Sequence, residues 1–352
     1  MPRYYAGRRA VMDAAQIATG NLRHTQIDRA IAAASTEIER ITRRNYIPIT
    51  ATKLFRWPQR EGDSLVVYVR EDLIAVTTLQ TKAQDSSPTT ISANDYFLEP
   101  NNYGPPYDRI EIDLSSTSAF EGGDTPQRSI SVAGRWGYSE ETKAAGTVSS
   151  GLASDATATE MVGDDGSLID VGDTLLIESE AIFVSDVKSA ALGSIQLNDT
   201  LTKDTSDVTV TVDASHGLAE GEIILIDSER MRIESIATND LTVVRAVEGS
   251  VLAAHSTNAA INVYRTYTIV RAQNGTTGAT HANSTAVSRY VPEPDVTNLC
   301  MALALANIHQ EKAGWGRSIG GPEASQELSG RQLEALWKKV TGHLQRGRFA
   351  AV

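Results

Sequence analysis

Val171-Gly-Asp-Thr-Leu-Leu-Ile-Glu-Ser-Glu180 and Glu220-Gly-Glu-Ile-Ile-Leu-Ile-Asp-Ser-Glu229 are near copies of one another, 49 residues apart. A second pair, Thr242-Val-Val-Arg-Ala-Val-Glu-Gly-Ser250 and Thr268-Ile-Val-Arg-Ala-Gln-Asn-Gly-Thr276, repeats at an offset of 26 and carries His255 onto His281. Self-similarity at a fixed offset means that one supersecondary unit is used more than once. Runs of Val, Ile, Leu and Thr closed by Gly, Asp and Ser read as strands and tight turns. The surrounding stretch, residues 139–290, is rich in Ser, Thr, Ala, Asp and Gly, poor in aromatics and without a helical stripe. It reads as an inserted all-β domain of two related modules plus a partial third.

Outside this stretch the period changes. Ile27, Ile31, Ala34, Ile38 and Ile41 recur at 4-3-4-3 spacing behind a capping Thr25, which predicts an amphipathic helix, and Pro48 forbids its continuation. A shorter helix is expected around Val11–Ala18. From Thr52 the period is two, with strands expected at 54–57, 65–69, 73–79, 95–98, 109–114 and 129–135. After Pro292 and Pro294 a helix returns, with Val296, Leu299, Cys300, Leu303 and Ala306 in a stripe that Met301, Leu305 and Ile308 widen beyond what a surface helix needs. A last helix opens with the capping box Ser329-x-x-Gln332 and carries Leu333, Leu336, Trp337, Val340 and Leu344, before a tail with Arg346, Arg348 and Phe349. The expected fold class is therefore α+β: a helical core from both chain ends with a small antiparallel sheet, plus the inserted all-β domain. The expected division is residues 1–138, 139–290 and 291–352.

Length and composition set bounds. At ~150 residues per domain, 352 residues suggest about two domains. A single cysteine, Cys300, excludes an internal disulfide framework or a CxxC site. No apolar run approaches the ~18 residues of a membrane helix, and the start Met-Pro-Arg-Tyr-Tyr has no apolar signal region, so neither export nor membrane residence is expected. The net charge of −12 is uneven: residues 1–60 hold 11 basic against 4 acidic residues, residues 139–290 hold 9 against 22. Such asymmetry suggests distinct surfaces meeting distinct partners.

No nucleophile elbow, dinucleotide loop, Walker loop, zinc helix or EF-hand pattern is present. His255 and His281 could be ligands, but a shared turn position favours a structural histidine. Ser215-His216 lacks an orienting carboxylate. Asp164-Asp165-Gly166, with Asp170 and Asp173, lacks the alternating ligands of a calcium loop and reads as a solvated turn. Arg3, Arg8, Arg9 and Arg23 could meet phosphates or form a solubilising arm. No catalytic, metal or cofactor residue is expected, and the protein is not expected to be an enzyme.

The order of parts resembles a known family. The helix Ala30-Ile-Ala-Ala-Ala-Ser-Thr-Glu-Ile-Glu-Arg-Ile-Thr-Arg-Arg44 runs into Tyr46-Ile-Pro48, then Phe55-Arg-Trp-Pro58, Asp95-Tyr-Phe-Leu98, Val132-Ala-Gly-Arg-Trp-Gly-Tyr-Ser139 and a proline-led helix. This resembles the head-to-tail connector, or adaptor, proteins of tailed bacteriophages over about residues 20–139 and 291–315. Parts of the insert are similar to β modules of phage structural proteins. In the family the Trp-Gly-Tyr strand passes almost directly to the C-terminal helix, so the insert is a departure from it.

The resemblance implies a virion protein at the neck, assembled in the host cytoplasm as a ring of about twelve subunits below the portal. Double-stranded DNA would pass through its lumen without sequence-specific binding. The implied partners are other copies of the chain, the portal protein, a tail or tail-nozzle protein and, through the insert, tail fibres. Adaptor C-termini reach the portal, which makes Trp337, Leu344, Arg346, Arg348 and Phe349 candidates for that contact. Ile31, Ile38, Ile41, Leu299, Leu303 and Leu305 are candidates for contacts between subunits. The alternatives are a tail-tip or receptor-binding β protein, and a tail-associated hydrolase, which would need a catalytic pair that the sequence does not offer.

Overall fold

The computed structural model of the protein describes residues 3–15, 24–58, 64–312 and 330–344. Helix α1 (Arg8–Ala15) precedes α2 (His24–Thr42), whose 4-3-4-3 spacing puts Ile27, Ile31, Ala34 and Ile38 on one fully buried face. From the other end of the chain, α3 (Pro294–Lys312) and α4 (Gly330–Leu344) return to pack with them. Pro294 opens α3 where a missing N–H costs nothing, and the Glu293 carbonyl accepts from the Val296 and Thr297 amides. Small side chains meet in this core, with Ser35 Oγ 3.3 Å from Cys300 Sγ. The wide apolar surface of α3 is used within the chain, since α1, α2 and α4 all pack against it.

Six strands follow α2: β1 (Ile49–Phe55), β2 (Val66–Thr81), β3 (Thr89–Ile91), β4 (Tyr96–Glu99), β5 (Tyr107–Ile112) and β6 (Ile130–Trp136). They form one antiparallel sheet in the order β1-β6-β2-β5-β4, with β3 on β2. The two strands expected at 65–69 and 73–79 are one, kinked at Arg70, whose φ is 51°. Gly134 lies at the centre, where a Cβ would stand 2.1 Å from the Ala75 carbonyl oxygen, so only glycine lets β6 and the bulged β2 approach. Trp136, Leu73, Leu79, Ile110, Ile130 and Val132 fill the sheet's own core.

The remaining ten strands are β7 (Thr142–Ser150), β8 (Glu160–Gly163), β9 (Thr174–Ile177), β10 (Glu180–Gln196), β11 (Thr209–Thr211), β12 (Ile223–Ile226), β13 (Glu229–Ala237), β14 (Asp240–Val244), β15 (Ala260–Gln273) and β16 (Ala286–Tyr290). The ladder β10-β9-β16-β7-β8-β15 closes through a β10–β15 pairing, giving a six-stranded barrel around Val148, Met161, Leu175, Ile182, Tyr267 and Ile269. The far halves of β10 and β15 enter a second barrel with β12, β13, β14 and β11. The bridge between Leu197 and Val212 closes that barrel around Ile224, Met231, Ile233, Leu241 and Val263. The long strands β10 and β15 belong to both.

The two barrels match rung for rung. Val148 opposite Gly163 corresponds to Leu197 opposite Val212, and Glu160 opposite Thr268 to Thr209 opposite Thr242. Ile177 opposite Val287 corresponds to Ile226 opposite Ile261, and Phe183 opposite Val270 to Arg232 opposite Val244. The first half of the module repeats at 49 and the second half at 26, so the second barrel is nested inside the first. Lys188 opposite Thr266, where the first barrel gives way to the second, corresponds to Ala237 opposite Asp240, where the second has only the turn Thr238-Asn239. The 26-residue repeat is thus the second half of the same two modules and not a partial third.

The expected fold class is overturned. The protein is 40% strand and 19% helix, with four helices and two large antiparallel sheets among the described residues, where a helical core with a small sheet was expected. Helical periodicity is conspicuous, but the sheet of residues 49–136 carries a core of its own and the barrels carry two more. A strap at the N-terminus binds these parts together. Arg8 pairs with Asp28 of α2 at 2.7 Å and with Asp186 of β10 at 3.0 Å, and its amide donates to the Val171 carbonyl. Tyr4 meets Phe183 edge-on, and the Thr50 amide of β1 donates to the Asn274 carbonyl.

Candidate functional site

The repeated sequences build one side-chain cluster twice. Between β9 and β10 the turn residue Glu178 has a φ of 54°, and between β12 and β13 Asp227 has 52°. These left-handed positions carry Glu180 and Glu229 to the start of the next strand, where both are fully buried. In the second barrel Glu229 accepts hydrogen bonds from Arg245 Nε (2.7 Å) and Nη2 (2.8 Å), and from the Ala246 (3.0 Å) and Ala253 (2.9 Å) amides. His255 Nε2 lies 2.9 Å from it, and His255 Nδ1 lies 2.7 Å from Asp227. In the first barrel Glu180 accepts from Arg271 Nε (2.8 Å) and Nη2 (2.6 Å) and from the Ala272 (2.9 Å) and Ala279 (3.1 Å) amides. His281 Nε2 lies 2.9 Å from it and His281 Nδ1 2.8 Å from Glu178.

Both ring nitrogens of each histidine thus face carboxylate oxygens. Burial opposes ionisation of Glu180 and Glu229. The bidentate arginine, the histidine and backbone amides (Ala272 and Ala279 for Glu180, Ala253 for Glu229) outweigh it and bring each carboxyl down to about 2. Every lone-pair direction is engaged and nothing is open to a substrate. These clusters clamp the arms 245–255 and 271–281 onto the hairpins that carry the acids, and the geometry is that of a lock rather than a catalytic constellation. His255 and His281 each bridge the turn acid and the buried glutamate of their own barrel.

A third acid, Glu222, accepts from Arg265 Nε (2.6 Å) and Nη2 (2.8 Å), from the Ala219 amide (2.8 Å) and, across the barrel junction, from the Gly166 amide (2.6 Å). Its counterpart 49 residues earlier, Asp173, is less well supplied: the Asp170 amide donates at 2.8 Å and Arg289 stands 3.5 Å away. Burial pushes the Asp173 carboxyl up. Asp170 accepts from the Arg9 amide (2.8 Å) at the start of α1, and burial, with the neighbouring Asp173, pushes it up to about 6. Beside these two acids lies a cavity of about 390 Å³ lined by Tyr4, Arg9, Ala10, Ser167, Asp173, Arg289, Tyr290 and Val291 among others. The acidic turn is therefore not simply solvated: Asp164 accepts from the Thr147 amide and hydroxyl, Asp170 from the Arg9 amide of the strap, and Asp173 from the Asp170 amide. Among the described residues no group of three or more His, Cys, Asp or Glu could hold a metal ion.

The candidates for subunit contacts fall mostly inside the protein. Ile31, Ile38 and Leu299 are fully buried in the helical core and Leu303 nearly so, while Ile41 and Leu305 are half-buried. Trp337 is half-buried against that same core. Leu344 ends α4, and Arg346, Arg348 and Phe349 lie outside the described residues. The basic N-terminal cluster is engaged: Arg3 with Glu39 and Asn45, Arg8 with Asp28 and Asp186, Arg9 with the Gly166 carbonyl. Arg23 lies outside the described residues. Large apolar side chains do stand free on the six-stranded sheet, where Tyr68 and Phe97 are more than half exposed.

Sequence reasoning singled out the histidines but missed Glu180, Arg271, Glu229 and Arg245. The signal was present: an acid and an arginine recur in both copies of otherwise apolar strands. Comparison of the chain with known protein families, with curated proteins and with solved structures finds no match.

Proposed function

We propose that this chain is a virion structural protein, the adaptor that joins head to tail as a ring beneath the portal and leaves a channel for DNA. The observation that carries the reading is the order of parts that resembles the connector family, in which helices from both chain ends meet. In this protein α2 and α3 share one core although the six-stranded sheet and both barrels lie between them in the chain. The buried acids, arginines and histidines are spent on locking strands together, which suits a part that bears load and performs no chemistry. An acidic protein also suits a DNA channel, because a basic lumen would grip phosphates.

A second reading, a tail-tip or receptor-binding protein, is favoured by one observation: strand outweighs helix, 40% against 19%, and the strands include two nested barrels. Phage assembled without this chain separates the two. An adaptor's absence leaves DNA-filled heads without tails, whereas a tail-tip protein's absence leaves complete tailed particles that fail to adsorb.

A further inference from the structure

The nested repeat gives the cavity beside Asp173 a counterpart whose occupant is visible. In the second barrel the corresponding place is formed by Glu222, Tyr264 and Arg265, and the loop Asp164–Ser167 of the first barrel sits in it. The Gly166 amide donates to Glu222 at 2.6 Å, and a Cβ on Gly166 would lie 2.4 Å from the Tyr264 carbonyl oxygen. Shifted by the two repeat offsets, Glu222, Tyr264 and Arg265 become Asp173, Tyr290 and Val291, and all three line the cavity of about 390 Å³. The same shift turns that loop, together with Leu168 after it, into Asp213-Ala-Ser-His-Gly217, whose last carbonyl accepts from Arg265 Nη2 at 2.8 Å. There Asp213, Ala214 and Ser215 are exposed, and Ser215 has a φ of 61°.

We infer that the cavity beside Asp173 is the seat for the loop Asp213–Gly217 of a second copy of this chain, so that copies join head to tail, second barrel to first. The inference rests on the ring reading, whose contact between subunits it specifies. The chemistry of the seat fits the loop. Asp173, its side chain 10% exposed, has one amide donor at 2.8 Å and Arg289 at 3.5 Å, where Glu222 has two amides and a bidentate arginine. A Ser215 amide would supply the donor that Gly166 supplies in the second barrel. The side chains that form the seat are smaller than at its counterpart, because aspartate is a methylene shorter than glutamate and Val291 stands where Arg265 stands. They admit a serine where the other seat admits only glycine. Arg9 and Arg289 line the cavity among Asp13, Asp170 and Asp173 and are the groups that would face Asp213. A contact between two different patches repeats from copy to copy, and it closes into a ring when the rotation permits.

The test uses two full-length variants, Ala10→Cys at the cavity and Ala214→Cys on the loop; Cys300 stays in both because it is buried. Each variant alone and an equal mixture are oxidised and analysed by gel and native mass spectrometry. The mixture is expected to yield a covalent dimer well above the level in either variant alone. Ser215→Trp, which overfills the seat from an exposed position, is expected to weaken self-association at least about tenfold with an unchanged melting temperature. A protein that stays monomeric, oligomers that do not cross-link in the mixture, or unchanged association of the Ser215→Trp variant would each overturn the inference. Rings that form without the cross-link refute the seat and leave the adaptor reading intact. Cross-linked copies that ignore portal rings refute the adaptor reading and leave the seat.

Discussion

Replacing Glu229 with glutamine keeps its shape and removes its charge. The Arg245 and Glu229 side chains are 2% and 0% exposed, so the guanidinium loses its counter-ion with no water to replace it. Breaking one side of a buried pair costs about 3–5 kcal/mol. The amide also turns one acceptor into a donor, so either the Ala246 amide or the Ala253 amide with His255 then faces an N–H. An unsatisfied buried group costs a further 1–3 kcal/mol or so, and the two terms overlap because the same groups are involved. About 4 kcal/mol is the expected loss, a large part of the 5–15 kcal/mol that ordinarily holds a domain together. Urea unfolding followed by far-ultraviolet circular dichroism measures it, and hydrogen exchange across residues 245–255 locates it. Glu180→Gln should cost the same within about 1 kcal/mol, because its partners are of the same kinds and their distances agree within 0.2 Å, while the exposed Glu234→Gln should cost under about 0.5 kcal/mol. A Glu229→Gln protein within about 1 kcal/mol of the parent would refute the view that these clusters are locks.

Three further outcomes follow from the same geometry. Because Glu180 and Glu229 are held down near 2, their contribution is whole above about pH 4.5 and is lost as pH falls toward 2, so a melting-temperature series should drop across that window. Asp170 has the opposite sign: its carboxyl is raised to about 6, so its contribution is present below about pH 4 and is lost as pH rises through 6. Asp170→Asn should flatten the decline of melting temperature between pH 5 and 7. Replacing residues 189–265 with the dipeptide Thr-Asn reproduces the turn of the second barrel on the first, and the shortened chain should still unfold cooperatively.

How much of this was legible in the sequence depended on the range of the interactions. Ile27 to Ile38 announced α2 because helical periodicity is local, and the strand stretches of the six-stranded sheet were mostly found for the same reason. The kink at Arg70 was not, since a bulge against β6 is a tertiary demand. The repeats were visible, but their nesting was not, because only the register of β10 on β15 shows that the offsets of 49 and 26 belong to one module. The Glu–Arg–His clusters were hidden by distance along the chain: Glu180 and His281 meet across 101 residues. The width of α3 suggested a neighbouring subunit, yet α1, α2 and α4 cover it, and a sequence cannot say whose side chains complete a face.

The central claim is that this chain forms a ring on the portal. Native mass spectrometry of the purified protein mixed with the portal rings that the proposal assigns it to tests it directly. The account predicts one discrete complex in which a closed set of copies of this chain adds to each portal ring. Portal rings that keep their own mass at every concentration of this protein would contradict it.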